Sequence, residues 1–76
     1  MEYVVSIDNE ESNEVADVIS MTGRVNGIAC AARVRISQIK SLKPKDAKIL
    51  KQKALIEAFV ARVEASLASA GERVTV

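Results

Sequence analysis

One stretch decides the fold: KPKDAKILKQKALIEAFVARVEASLASAG, residues 43–71. Its apolar residues recur at alternate spacings of four and three, which is typical of an amphipathic helix. Pro44 suits the first helical position, where its missing N–H would be unpaired, and Asp46 favours the positive end of the helix dipole. Gly71 suits the left-handed residue that follows many helix C-termini. The stretch therefore predicts one long helix.

The predicted helix carries an apolar stripe that is broad for a single-domain protein. The stripe consists of Ile49, Lys53, Ile56, Val60, Val63, Leu67 and Ala70, with Leu55 and Phe59 to one side. A helix of about 27 residues spans roughly 40 Å, whereas a compact domain of this length is about 30 Å across. We therefore expect one flank of the helix to pack on its own sheet and another to contact a second copy of the chain. The predicted oligomer interface is Ile56, Phe59, Val60, Val63 and Leu67.

The residues before the helix predict a small antiparallel sheet. Tyr3–Ile7 is a short β-prone run that ends in the polar cluster Asp8–Asn13. Asn26-Gly27 is the strongest short hairpin signal, since both central residues of a type I′ turn need positive φ. Folding the chain about this turn collects apolar and small residues on one face, by pairing Val25 with Ile28, Gly23 with Cys30, Met21 with Ala32 and Ile19 with Val34.

A helix between Asp8 and Gly23 is the alternative, with Asp8 as its cap, Glu11 completing a capping box and Gly23 ending it. The hairpin is preferred, because a slip of one residue would destroy the sorting of apolar from polar side chains. Ser37–Lys43 is then a connector, and the β-prone residues Arg73–Val76 could add a last edge strand.

These elements predict an α+β fold in which a small antiparallel sheet is covered by one long C-terminal amphipathic helix. The sheet has three strands, or four if the C-terminus joins it. One domain spans residues 1–76, with sheet mainly in 1–42, the helix in 43–71 and the optional edge strand in 72–76.

Charge is segregated along the chain although the formal net charge is only +1. Residues 1–23 contain acidic side chains and no basic one, whereas residues 24–53 contain basic side chains and only Asp46 as an acid. Lysines near a helix N-terminus oppose the helix dipole, so stability alone does not explain them. The basic residues therefore predict a strip that binds nucleic-acid phosphates. The strip consists of Arg33, Arg35, Lys40, Lys43, Lys45, Lys48 and Lys51.

Two other interpretations of the same charges stay open. The acidic segment Asp8–Asp17, from the same chain or a second copy, could neutralise the basic strip, or the lysines could simply be solvated. The second function hypothesis is a protein-binding module, such as an inhibitor, adaptor or shell subunit of a phage or mobile element, which uses the acidic segment to contact its partner.

Composition argues against catalysis and against a metal or cofactor. The chain has no histidine, which is the commonest general base and metal ligand. Cys30 is the only cysteine and falls on the apolar face of the hairpin, which favours a structural thiol. No signal peptide is recognisable and no apolar run approaches the roughly 20 residues of a membrane span. We therefore expect a cytoplasmic, non-catalytic protein that forms a homo-oligomer and needs no cofactor.

Overall fold

A computed structural model describes residues 2–74, with side chains placed for residues 2–68. Its elements are β1 (Val5–Asn13), β2 (Val18–Val25), β3 (Ile28–Arg35), α1 (Ile36–Lys40) and α2 (Pro44–Val74). The strands form one antiparallel sheet in the order β1-β2-β3, and α2 packs on one face of it. The predicted α+β architecture, a three-stranded sheet with one long C-terminal helix, is confirmed.

The hairpin between β2 and β3 has the register that the sequence predicts. Val25 pairs with Ile28 next to the turn, and Ile19 pairs with Val34 near its far end. Asn26 has φ 53° and Gly27 has φ 80°, as the type I′ turn requires. The alternative of a helix between Asp8 and Gly23 is wrong, because residues 8–13 belong to β1 and residues 18–23 to β2.

The core lies between the hairpin and α2. β2 contributes Met21, which is 1% exposed, and Val25, which is fully buried. From α2, Leu55 is also fully buried. Gly23 lies beneath it, where a Cβ atom would clash with the Ser6 carbonyl oxygen and lie 3.1 Å from Leu55 Cδ1. A glycine in β2 thus lets the helix and the first strand approach closely.

β1 is longer than predicted, since it continues through the polar cluster Asp8–Asn13 instead of ending there. The strand lies at a sheet edge and is largely exposed, so its polar residues lose little hydration there. The pairing with β2 shifts by one residue between Ile7 and Asn9, which is a β-bulge. Beyond the bulge Glu10 pairs with Met21, and the bulge therefore turns Glu10 towards the helix side of the sheet.

The predicted connector Ser37–Lys43 is also partly wrong, because α1 occupies its first half. Ile36 and Ile39 pack against the cluster of Ile19, Met21 and Val34. Asp17, in the turn after β1, accepts hydrogen bonds from Ser37 N (3.2 Å) and Ser37 Oγ (2.8 Å). A residue distant in sequence thus accepts hydrogen bonds from the N-terminus of this helix, where backbone N–H groups lack partners within the helix. A local sequence pattern does not reveal such a contact.

α2 continues past Gly71 to Val74, so glycine does not end the helix as predicted. A strand over residues 72–76 is likewise wrong for 72–74, which are helical, while Thr75 and Val76 lie outside the described residues. Glycine inside a helix costs only about 1 kcal/mol relative to alanine. Since no proline follows Gly71, nothing in the local sequence forces a stop.

The long helix gives the molecule an elongated shape. Its 31 residues span about 46 Å, and the principal dimensions of the molecule are 49 × 28 × 18 Å. Within the described part of the chain, no helix combines the length and apolar character that crossing a membrane would require.

Candidate functional site

The face of the sheet that points away from α2 is open. We call it the open sheet face, and it consists of Ser6, Asn9, Glu11, Asn13, Val18, Ser20, Thr22, Arg24, Ala29, Ala31, Arg33 and Arg35. None of these residues is buried, because no described element covers this side of the sheet. The face carries small, hydroxyl and amide side chains together with three arginines, and it has no aromatic residue.

Arg33 and Arg35 stand next to each other on the open sheet face. Both are exposed residues of the edge strand β3, opposite Ser20 and Val18 of β2. Two residues along a strand are about 6.8 Å apart. Neither arginine belongs to an ion pair among the described side chains. We call them the sheet arginines.

Lysines of the predicted strip gather instead around the start of α2. Lys43, Lys45 and Lys48 are exposed and take part in no ion pair of the described residues; we call them the helix-start lysines. Lys48 borders an open groove of about 600 Å³ between the first turns of α2 and the middle of β1. Lys40 is exposed at the end of α1, between the two groups in chain order.

Lys51 differs from the other members of the strip. Its Nζ lies 2.9 Å from Glu10 Oε1, and its side chain is 19% exposed. The β-bulge that turns Glu10 to the helix side makes this ion pair possible. Lys51 therefore links α2 to β1 and is much less available to a ligand than the other strip residues.

The structure thus divides the predicted strip between two layers of the fold. The sheet arginines lie on the open face of β3, whereas the helix-start lysines lie on the opposite layer near β1. β1 and β3 are the two edges of the sheet, and their backbones are about 10 Å apart. The strip is therefore not one straight row of cations, and the two groups are separate candidate contacts.

Part of the acidic segment is occupied within the chain. Asp8, at the bulge, accepts a hydrogen bond of 3.2 Å from Arg24 Nε. Glu10 binds Lys51 and Asp17 binds Ser37. Internal neutralisation therefore accounts for Lys51 and Arg24, but it leaves the sheet arginines without an acidic partner among the described side chains.

The hairpin register predicted from the sequence also places polar neighbours beside the sheet arginines, and the structure confirms that register. Ser20 lies directly opposite Arg33, and Thr22 follows on the same face. The predicted register contained the signal, because the alternate positions of β2 carry these hydroxyl groups. The sequence did not reveal that the lysines of α2, which follow the sheet arginines along the chain, lie on a different layer of the fold.

The predicted oligomer interface follows one side of α2. Ile56, Phe59 and Val60 are half-buried, and the Phe59 ring meets Tyr3 edge to face with centroids 6.0 Å apart. Val63 is 40% exposed and Leu67 is 67% exposed.

The acidic side chains and the cysteine of the described residues do not cluster. Over the part of the chain that the structure describes, no three or more Asp, Glu, Cys or His side chains gather as a metal site would need. Cys30 is half-buried on the helix side of β3, and its thiol is free. The predictions that the chain is not an enzyme and needs no cofactor stay predictions.

Comparison of the chain with known protein families, with characterised proteins and with solved structures finds no match.

Proposed function

We propose that this chain is a non-catalytic protein that binds the phosphates of a nucleic acid, with the sheet arginines as its principal contacts. The observation that carries the proposal is that Arg33 and Arg35 lie side by side on an open sheet face, with no ionic partner among the described side chains. A folded chain gains no stability from two adjacent exposed cations of this kind, because like charges repel.

The spacing of the sheet arginines suits a polyanion. Their separation of about 6.8 Å is twice the 3.4 Å axial rise per phosphate along one strand of a duplex. Arginine also binds phosphate oxygens in a bidentate manner, which a lysine does not do. Ser20 and Thr22 add hydroxyl groups that can donate to phosphate oxygens beside the arginines.

The chemistry of the face favours backbone contact over sequence recognition. It carries no aromatic side chain on which bases could stack, and hydroxyl groups discriminate poorly between bases. The exposed Lys40 and the helix-start lysines would add long-range attraction around the same end of the molecule. We assign Lys51 to the fold, because it pairs with Glu10.

The test is a binding titration with a labelled DNA duplex and a labelled single-stranded RNA of equal length, over a series of salt concentrations. Wild-type affinity should fall steeply as salt rises, since phosphate contacts release counterions. The double variant Arg33→Gln/Arg35→Gln should weaken binding by at least about tenfold at moderate salt. The slope of the logarithm of the binding constant against the logarithm of the salt concentration should also become shallower by about two, one for each phosphate contact that is lost.

Two further variants sharpen this test. Arg24→Gln removes an arginine from the same face that already pairs with Asp8, and it should weaken binding by less than about threefold. Lys45→Gln/Lys48→Gln removes two helix-start lysines and should have an intermediate effect. The proposal fails if the wild-type chain binds neither probe at low salt, or if the sheet-arginine variant binds as the wild type does.

The protein-binding alternative would use the remaining acidic side chains. Of the segment Asp8–Asp17, Glu11 and Glu14 are exposed and make no ion pair with a described side chain. No contact or cavity at these residues specifies a partner, so this alternative stays a prediction from the sequence.

A further inference from the structure

An apolar stripe on α2 is only partly covered by the described part of the chain. Ile49 is 54% exposed, Val63 is 40% exposed and Leu67 is 67% exposed, while Ile56 and Val60 between them are half-buried. Single exposed apolar side chains are ordinary on protein surfaces, but several of them aligned along one side of a helix are not. We call this row the α2 stripe.

The geometry of the fold prevents the sheet from covering the α2 stripe. Leu55 marks the side that faces the sheet, and at 100° per residue the stripe lies about a third of a turn away from it. The strands β2 and β3 are 8 residues each, about 27 Å long, whereas α2 extends about 46 Å. Val63 lies beside Ile28 at the hairpin turn, and Leu67 follows one helical turn later.

We propose that a second copy of the chain covers the α2 stripe, with the two α2 helices packed antiparallel about a two-fold axis near Val60. In this arrangement Ile56 of one copy meets Val63 of the other, and Val60 packs close to its own symmetry mate. A two-fold contact uses the same patch on both subunits, so the patch must be self-complementary, and the α2 stripe meets this condition.

The charged residues beside the α2 stripe favour a second copy of the chain, packed antiparallel, as the partner that covers it. Lys53 interrupts the stripe near its start and Glu64 borders it near its end; both are exposed, and neither has an ionic partner among the described side chains. They are 11 positions apart, so they project within about 20° of each other. An antiparallel pair with its axis near Val60 brings Lys53 of each copy close to Glu64 of the other, twice per dimer. A parallel pair would instead place each charge beside its like.

The experiment reverses each of these two charges in a separate variant. Lys53→Glu and Glu64→Lys are prepared separately, and dimerisation is measured by light scattering and sedimentation for the wild type, for each variant and for their equimolar mixture. No nucleic acid is present, so failure here and failure of the proposed phosphate binding are distinguishable. The wild type should dimerise at micromolar concentration.

Each single variant faces like charges at both contacts and should dimerise at least about fivefold more weakly than the wild type. The mixture should regain dimers, because the glutamate introduced at position 53 of one variant then meets the lysine introduced at position 64 of the other, and the second contact keeps its native pair. Lys40→Glu and Glu14→Lys make the same charge changes elsewhere and should leave dimerisation unchanged, alone and mixed. Circular dichroism checks that every variant keeps its helix.

Three results would overturn the proposal. The wild type could stay monomeric at high micromolar concentration, the single variants could dimerise as tightly as the wild type, or the mixture could form no more dimer than its components do.

Discussion

The two long sides of α2 differ in what they carry and in what covers them. The sheet-facing side has the small Ala47, the paired Lys51 and a fully buried Leu55. The α2 stripe carries larger apolar side chains, yet Ile49 and Leu67 on it are more than half exposed. The more apolar side of this helix is therefore not the side that packs on its own sheet.

Side-chain size explains the difference better than total hydrophobicity. Leu55 Cδ1 would lie 3.1 Å from a Cβ atom at Gly23, so the helix sits close to the strands there. Ala47 and Ala54 lie with Leu55 on the packed side and permit this close approach. A row of isoleucine and valine would hold the helix farther from the sheet and leave voids between them.

Leu55→Ala should have the largest effect on stability. The side chain is fully buried at the contact between α2 and the sheet, and truncation leaves a cavity that close packing cannot easily fill. We expect a loss of about 2–5 kcal/mol in the free energy of unfolding, measured by urea denaturation followed by circular dichroism. A loss below about 1 kcal/mol would mean that the sheet-facing side is not the core side.

Gly23→Ala should be the next most severe change. The added Cβ atom would meet the Ser6 carbonyl oxygen and crowd Leu55. Overpacking of this kind costs about 1–3 kcal/mol, because backbone and side chains must shift to relieve it. The matched control is Ala31→Ser on the open sheet face, which should change stability by less than about 0.5 kcal/mol. Equal effects at the two positions would contradict the close contact between β1, β2 and α2.

The hairpin was predictable from sequence because its determinants are local. Asn26-Gly27 selects the turn type, and alternation on both strands leaves one register that separates apolar from polar residues. The long helix was predictable for a similar reason, since its periodicity extends over many turns. The sheet arginines followed from the same alternation, which places Arg33 and Arg35 on one face.

Features that depend on contacts distant in sequence were missed. The pairing of Glu10 with Lys51 depends both on the bulge after Ile7 and on the position of α2 over β1, and no local pattern specifies either. The hydrogen bonds that Asp17 accepts from Ser37 at the start of α1 depend on the return of β3 to the same end of the sheet. The split of the basic strip has the same origin, because neighbours in sequence lie on different layers once the chain has folded.

Glu10→Gln should produce a smaller, salt-dependent loss. It removes the charge that Lys51 faces across 2.9 Å, and both groups keep some contact with solvent. We expect a loss of about 0.2–1 kcal/mol in the free energy of unfolding. The difference from wild type should shrink at about 1 M salt, where screening is strong.

The control for this pair is Glu11→Gln, because Glu11 lies on the open sheet face and makes no ion pair with a described side chain. Its effect on stability should be smaller than that of Glu10→Gln at low salt. If both variants lose the same stability at all salt concentrations, the contact between Lys51 and Glu10 does not help to hold α2 on β1.

Leu67→Ala should have the smallest effect on the stability of the monomer. It is the same substitution as Leu55→Ala, made on the other, exposed side of the comparison. The residue is 67% exposed on the α2 stripe, and alanine is the better helix former. At dilutions where the chain is monomeric, we expect the free energy of unfolding to change by less than about 0.5 kcal/mol. At concentrations that favour the proposed dimer, the same variant should weaken association, because alanine cannot make the apolar contacts that Leu67 makes with the partner. A large loss in the dilute monomer would show that the chain itself buries the stripe, and the distinction between the two sides of α2 would disappear.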